Sequence, residues 1–261
     1  ISSFLIALMT KVGVYTLIRF FTIIYPLDGT ILKTVFIILS GLTMVVGVLG
    51  AAIQTDFRKI LSFHIVSQIG YMLMGLAIGT PLAIAGALFF ILHNVLVKTN
   101  LFFISGLVGS VSGTYSLNKL GGIFAQFSFI ALVFAVSAFS LIGVPPLTGF
   151  WGKFMLAKAG LASGDYAIVV VSLIVSMITL FSMTKIWNQV FWKPLPEGTV
   201  LKQTSIKEAY AAHKPMFWVI SILTIVILVV SFLPASFIEL TEKSAHVVVE
   251  RNKYINLILN R

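Results

Sequence analysis

The sequence predicts an all-α polytopic membrane protein of seven transmembrane helices, and three observations carry that prediction. Hydrophobic residues fill 59% of the 261 positions and charged residues only 10%, against about 25% charged in a soluble globular chain. The apolar residues gather into runs matching the roughly 20 residues a helix needs to cross a bilayer. Between the runs lie short connectors with turn and cap chemistry.

Taken in order, the spans cover about 2–25, 32–53, 60–78, 82–109, 127–159, 166–190 and 216–233, each near the roughly 20-residue requirement or longer. Pro26, Asp28 and Gly29 turn the chain after the first span, and Thr55-Asp56 precedes the third. Gly79-Thr80-Pro81 separates the third from the fourth, and Ser163-Gly164-Asp165 precedes the sixth. A Gly/Ser loop at 110–122 holds Lys119, and a polar loop at 193–215 holds three prolines.

The fifth span is too long for a straight crossing. As one helix it would extend about 50 Å, against a hydrocarbon core of about 30 Å. Its middle reads Leu141-Ile-Gly-Val-Pro-Pro-Leu-Thr-Gly-Phe-Trp-Gly-Lys-Phe154. Proline removes a backbone donor and clashes with the preceding turn, so the helix breaks at Pro145-Pro146. Gly149 falls within the break. Freed backbone groups survive in lipid only where protein or a water-filled cavity surrounds them. Lys153 follows directly, and a broken helix beside a buried cation points to an ion path.

Charge distinguishes one broken span from a hairpin of two short ones. With one span, Arg58, Lys59, Lys119, Lys185, Lys193, Lys202, Lys207 and Lys214 fall on one face. Arg19, Lys33 and Lys158 fall on the other. A hairpin would scatter the basic loops over both faces, against the positive-inside rule. One broken span, a cytoplasmic 193–215 loop and a non-cytoplasmic C-terminus follow. The organisation is then a helix bundle over 1–233 and an amphipathic tail over 234–261. That tail mixes Phe237, Ile238 and Val247 with Glu239, Glu242, Lys243, Glu250 and Arg251, a composition suited to the membrane interface.

The formal net charge of +10 does not indicate nucleic acid, because the basic residues stand singly and form no stripe that tracks phosphates. With no cysteine, disulfides and thiolate metal sites are excluded within this chain. No cluster of histidine or carboxylate suits a metal, and no cofactor is expected. The apolar run is under way by Phe4 with no signal-peptide pattern. The chain therefore reads as the C-terminal part of a longer protein.

The polar residues inside the spans are unusual. Every acidic residue lies in a loop, at a helix end or in the tail, while Lys11, Lys98 and Lys153 lie inside spans. Burial penalises the charged form of an amine, so such lysines suit proton exchange. Lys33 and Lys158 lie near helix ends and are expected to snorkel. Asn94 stands four residues before Lys98, on the same face and within hydrogen-bond reach. His93 points about 140° away and needs a neighbour or water. His64, Gln68 and Tyr71 form a polar stripe on the third span, suited to proton conduction or to interhelical hydrogen bonds. A mobile Na⁺ prefers carboxylate oxygens, and none is buried, so the interior reads as a proton route.

Several longer stretches carry a resemblance. They are Lys11-Val-Gly-Val-Tyr-Thr-Leu-Ile-Arg19, Gln54-Thr-Asp-Phe-Arg-Lys-Ile-Leu-Ser62, Ser67-Gln-Ile-Gly-Tyr-Met72 and Gly143-Val-Pro-Pro-Leu-Thr-Gly-Phe-Trp-Gly-Lys153. With them the chain resembles the antiporter-like proton-translocating subunits shared by respiratory complex I, membrane-bound hydrogenases and Mrp-type Na⁺/H⁺ antiporters. Ile60-Leu-Ser-Phe-His-Ile-Val-Ser-Gln68, Val97-Lys-Thr-Asn-Leu-Phe102, Thr114-Tyr-Ser-Leu-Asn-Lys-Leu-Gly-Gly122 and Leu180-Phe-Ser-Met-Thr-Lys-Ile-Trp-Asn188 are similar to the D subunits of Mrp antiporters in particular.

The resemblance implies a fourteen-helix fold of two inverted repeats, with this chain as helices eight to fourteen. The family lysines of the eighth, eleventh and broken twelfth helices fall on Lys11, Lys98 and Lys153. The family's usual histidine four residues before the eleventh-helix lysine falls on Asn94, with His93 adjacent. The implied function is a proton-translocating subunit of a multisubunit Na⁺/proton antiporter in a bacterial cell membrane, a transporter rather than an enzyme. Its proton path would use Lys11, Lys98, Lys153, His93 and His64. Its partners would be the other subunits of the complex and membrane lipids, with protons and Na⁺ as the ions moved. The alternative is a pumping subunit of a complex I-type NADH–quinone oxidoreductase or a membrane-bound hydrogenase. A third reading is a structural scaffold, on which three buried lysines without acidic partners have no explanation.

Overall fold

The computed structural model describes residues 2–25, 27, 29, 31–196 and 206–249. Helix α1 (Ser2–Arg19) runs into a π-helical stretch, Phe20–Ile24, and is followed by α2 (Ile31–Ile53), α3 (Phe57–Ile78) and α4 (Pro81–Ser112). A 3₁₀ turn (Leu117–Lys119) and the short α5 (Ile123–Gln126) lead into α6 (Ser128–Ile142) and α7 (Thr148–Ala162). Helix α8 (Tyr166–Ile186) ends in a second π-helical stretch, Trp187–Trp192. Then come α9 (Ile206–Phe232) and α10 (Pro234–Val249). No strand occurs among the described residues; Asp56 and Ser116 form an isolated antiparallel bridge.

Local chemistry explains the helix starts. Asp56 Oδ1 accepts from the Lys59 N–H at 3.1 Å, capping α3. Thr80 Oγ1 accepts from the Ala83 N–H at 3.2 Å, and Pro81 takes the first helical position of α4, where no donor is needed. Helix α9 starts well before the expected 216. It bends at His213 (φ −129°, ψ 28°), because Pro215 has no N–H for the carbonyl four residues back and crowds that turn. The expected turn residues Pro26 and Asp28, positions 197–205 of the polar loop with Lys202, and tail positions 250–261 with Glu250 and Arg251 lie outside the described residues.

Among the described residues, five helical stretches are long and apolar enough to cross a membrane: Ile31–Ile53, Phe57–Ile78, Pro81–Ser112, Tyr166–Trp192 and Glu208–Phe232. Burial sorts them. The α3 and α4 windows are 72% and 67% buried, while the other three lie between 28% and 39%. So α3 and α4 form the centre, and the others turn apolar side chains such as Ile38, Leu42 and Val46 outward. A helix apolar on its outer face suits a lipid surround. Ser40, Gly47, Ser67 and Gly70 let α2 and α3 approach closely, and the Ser67 hydroxyl donates to the Met44 carbonyl oxygen at 3.0 Å.

Helices α6 and α7, fifteen residues each, together traverse the bundle. The Phe134 ring of α6 lies edge-on to Phe57 at the start of α3 and beside Phe191 in the π-helical stretch that follows α8. Gly160 of α7 lies against Ile78 at the end of α3 and Val169 at the start of α8. The two therefore run on from one end of the bundle to the other, rather than doubling back as a hairpin.

One end gathers basic groups. The Lys185 ammonium donates to the Ala52 and Gln54 carbonyls (3.0 and 2.7 Å), closing the C-terminus of α2. The Arg58 guanidinium sits 3.8 Å over the Tyr115 ring, and the Gly122 N–H donates to the Lys193 carbonyl. Lys59 and Lys119 lie at the same end. At the opposite end Lys33 pairs with Asp165 at 3.3 Å, and Lys158 is exposed. Helix α10 begins at that opposite end and packs on α4, burying Thr241, Ala245 and Val248. On its outer face Lys243 pairs with Glu239 at 2.6 Å, and this hydrogen bond holds the Glu239 carboxyl below its usual value.

Candidate proton-path site

The site begins where α6 stops. Gly143, at φ +92°, takes the left-handed conformation that closes α6 and is strained for a residue with a Cβ. The Pro145–Pro146 peptide is cis, both prolines are exposed, and α7 restarts at Thr148. Gly149 is buried because the two half-helices overlap there: a Cβ would meet the Ser140 carbonyl oxygen. The overlap places the end of α6 beside the first turns of α7.

That end holds Lys153. The last carbonyls of a helix have no partner within it, and the Lys153 ammonium donates to one of them, Ile142 O, at 2.8 Å. It also donates to Ser176 Oγ of α8 at 3.0 Å and lies 4.8 Å from the centre of the Tyr71 ring. The Tyr71 hydroxyl meets Ser176 Oγ at 2.8 Å and donates to the Ser172 carbonyl at 2.5 Å. An ammonium has three donors. Here it finds two oxygens and an aromatic face, all uncharged.

The other expected residues sit in the same interior. Lys11 is 3% exposed and donates to Thr10 Oγ1 at 3.2 Å. Lys98 is fully buried, and its ammonium has no hydrogen-bond partner among the described residues. His64 Nε2 meets Ser182 Oγ at 2.7 Å, while Nδ1 has no partner. Both amide atoms of Gln68 are buried and unpartnered.

One expectation changes. Asn94 does not bond Lys98: its amide N–H donates to its own helix at Phe90 O, 2.9 Å away, and Oδ1 is left unpartnered. A side chain that can reach the carbonyl four residues back finds that acceptor already in place. His93 does find a neighbour, because Nδ1 meets Thr148 Oγ1 at 2.7 Å, at the restart of α7. His93 also stacks on Phe90 (5.3 Å), which packs on Tyr71 (5.4 Å), so one row of rings joins it to the Lys153 site.

The hydroxyls of this site were not singled out from the sequence. Ser172, Ser176, Thr179 and Ser182 recur every three or four residues, which marks one face of α8. Ser140 and Thr148 flank the break. An apolar cleft of about 620 Å³ opens between α1, α4, α9 and α10, with Lys11 and His93 on its wall.

Comparison with known proteins places this arrangement. A sequence model of the family described as NADH:quinone oxidoreductase/Mrp antiporter, TM, matches residues 1–179. The D subunit of a Na(+)/H(+) antiporter from Alkalihalophilus pseudofirmus is 49% identical over 185 residues, which are 71% of this chain and 38% of that protein. A chain in the structure of the Mrp complex from Dietzia superposes with a TM-score of 0.86 at 29% identity, over 96% of this chain and 53% of that one. A chain of respiratory complex I from Thermus thermophilus superposes with a TM-score of 0.77 at 18% identity, over 91% of this chain and 49% of that one, a likeness of fold. The chain thus spans about half or less of the length of the proteins it matches.

Proposed function

Because the chain belongs to the NADH:quinone oxidoreductase/Mrp antiporter transmembrane family, we propose that it is part of a proton-translocating subunit of a multisubunit Na⁺/proton antiporter. Its protons move along Lys11, Lys98 and Lys153, with His93 and His64 beside the path. The observation that supports this best is that Lys11 and Lys98 are buried and Lys153 half-buried within the bundle, none with a carboxylate partner among the described residues. Buried charge is expensive unless paired. Groups that change proton state can alternate, whereas a static scaffold gains nothing from three of them.

The proposal includes the membrane arrangement. Seven crossings, counting α1 and the α6–α7 pair, put the Arg58, Lys119 and Lys185 end at the cytoplasm, as the excess of basic residues favours. Helix α10 then lies at the non-cytoplasmic interface of a bacterial cell membrane. The rest of the antiporter complex and membrane lipids surround the bundle.

Proton release from everted vesicles tests the function. With the pH gradient imposed artificially and no redox substrate present, added Na⁺ should release protons through the intact complex. Lys98→Met should abolish that response while the complex still assembles. The fold shared with a complex I chain favours a second reading, a redox-driven pump subunit. Proton movement that requires an electron donor and ignores Na⁺ would select it. Normal exchange with all three lysines replaced by methionine would leave only the scaffold reading.

A further inference from the structure

We infer that Thr148 is a positioning residue that fixes which nitrogen of His93 is free to take up a proton; the inference rests on the place of His93 beside the proposed path. Thr148 is held from three helices. Its hydroxyl meets His93 Nδ1 of α4 at 2.7 Å and Ser140 Oγ of α6 at 2.6 Å. Its backbone N–H, one of the donors a helix start leaves without an intrahelical partner, donates to Ser231 Oγ of α9 at 3.0 Å. All four side chains are buried.

A threonine hydroxyl has one proton to give and lone pairs to receive. Only two directions are therefore consistent. If Thr148 donates to His93 Nδ1, the proton of a neutral ring sits on Nε2, and Nε2 cannot accept another. If Nδ1 carries the proton and donates to Thr148, the Thr148 proton is free to go to Ser140 and Nε2 is bare. His93 Nε2 is buried and has no hydrogen-bond partner among the described residues, and His93 shares the wall of the apolar cleft with Lys11. Only the second direction opens that nitrogen. A bond at one ring nitrogen setting the state of the other is a general property of histidine. Here the bond that sets it spans the helix break, since Ser140 and Thr148 stand on its two sides. Movement of α6 against α7 would change the Thr148 bonds and with them the accepting nitrogen of His93.

Thr148→Val keeps the shape and removes the hydroxyl; Thr148→Ser keeps the hydroxyl. In the assembled complex in everted vesicles, Thr148→Val should lower Na⁺-driven proton release about tenfold, less than the roughly hundredfold that a proton-handling group itself supplies at the low end, because Thr148 acts through His93. Thr148→Ser should stay within about twofold of wild type. On a His93→Ala background, Thr148→Val should add no further loss, because residues acting as one unit are not additive. A purely structural Thr148 would show independent losses that multiply. Wild-type rates in Thr148→Val, failure of Thr148→Ser to restore them, or multiplying losses would each overturn the inference. If His93→Ala itself exchanges normally, the place of His93 on the path fails instead.

Discussion

Lys153 and Lys98 are the same residue type in the same bundle, yet their surroundings are opposite. Lys153 has Ile142 O, Ser176 Oγ and the Tyr71 ring around its ammonium. Lys98 has no hydrogen-bond partner among the described residues. The difference comes from the helices that carry them. Helix α4 is continuous from Pro81 to Ser112, so the carbonyls around Lys98 are committed to its own turns. Helix α6 ends in mid-bundle at Ile142, and a helix end offers free carbonyls and the negative pole of its dipole. A broken helix thus provides a cation site without any acidic residue. It also gives the proposed path one lysine with a fixed seat and one without.

Exchanging each lysine for methionine separates the two settings most strongly. Lys153→Met leaves the Ile142 carbonyl at the end of α6 without the ammonium, while Ser176 keeps Tyr71 and Ser172, and should lower stability by about 1–3 kcal/mol. Lys98→Met removes a buried amine that has no protein partner, so stability should hold or rise by about 1 kcal/mol. Melting of the detergent-solubilised complex reads both; a drop of equal size in the two variants would erase the distinction. Gly149→Ala comes next. Its Cβ would meet Ser140 O, and the enforced separation of the half-helices should cost about 1–2 kcal/mol and weaken the Lys153 seat. Unchanged melting and transport would mean that the overlap is not needed. Tyr71→Phe has the smallest effect, about 1 kcal/mol, since it loses the bonds to Ser172 and Ser176 but keeps the ring under the ammonium. Tyr71→Leu should then be worse in transport than Tyr71→Phe, and equality would exclude a role for the ring face.

Much of this contrast was legible in the sequence, for definite reasons. Long apolar runs announce helices, and Pro145-Pro146 with Gly143 and Gly149 announces the break. Lysines without buried acids stand out by composition alone. What the sequence left out depends on which helices touch. Ser176 lies 23 positions from Lys153, and nothing local ties it to Tyr71. Thr148 meets His93 across 55 positions. Asn94 was expected to serve Lys98 from spacing alone, and a nearer backbone acceptor at Phe90 prevailed. The early start of α9 was obscured by Pro215, which bends that helix instead of beginning it.

The central claim is that Lys153 carries protons and is more than a fixed charge that props the break. Lys153→Arg tests it most directly, because a guanidinium keeps the charge and hydrogen-bond donors but does not release its proton in a protein. The measurement is Na⁺-driven proton release in everted vesicles, with assembly of the complex verified on native gels. The account predicts an assembled complex with no exchange above the background of vesicles lacking it. Exchange at the wild-type rate would show that a permanent charge suffices at this position and would contradict the account.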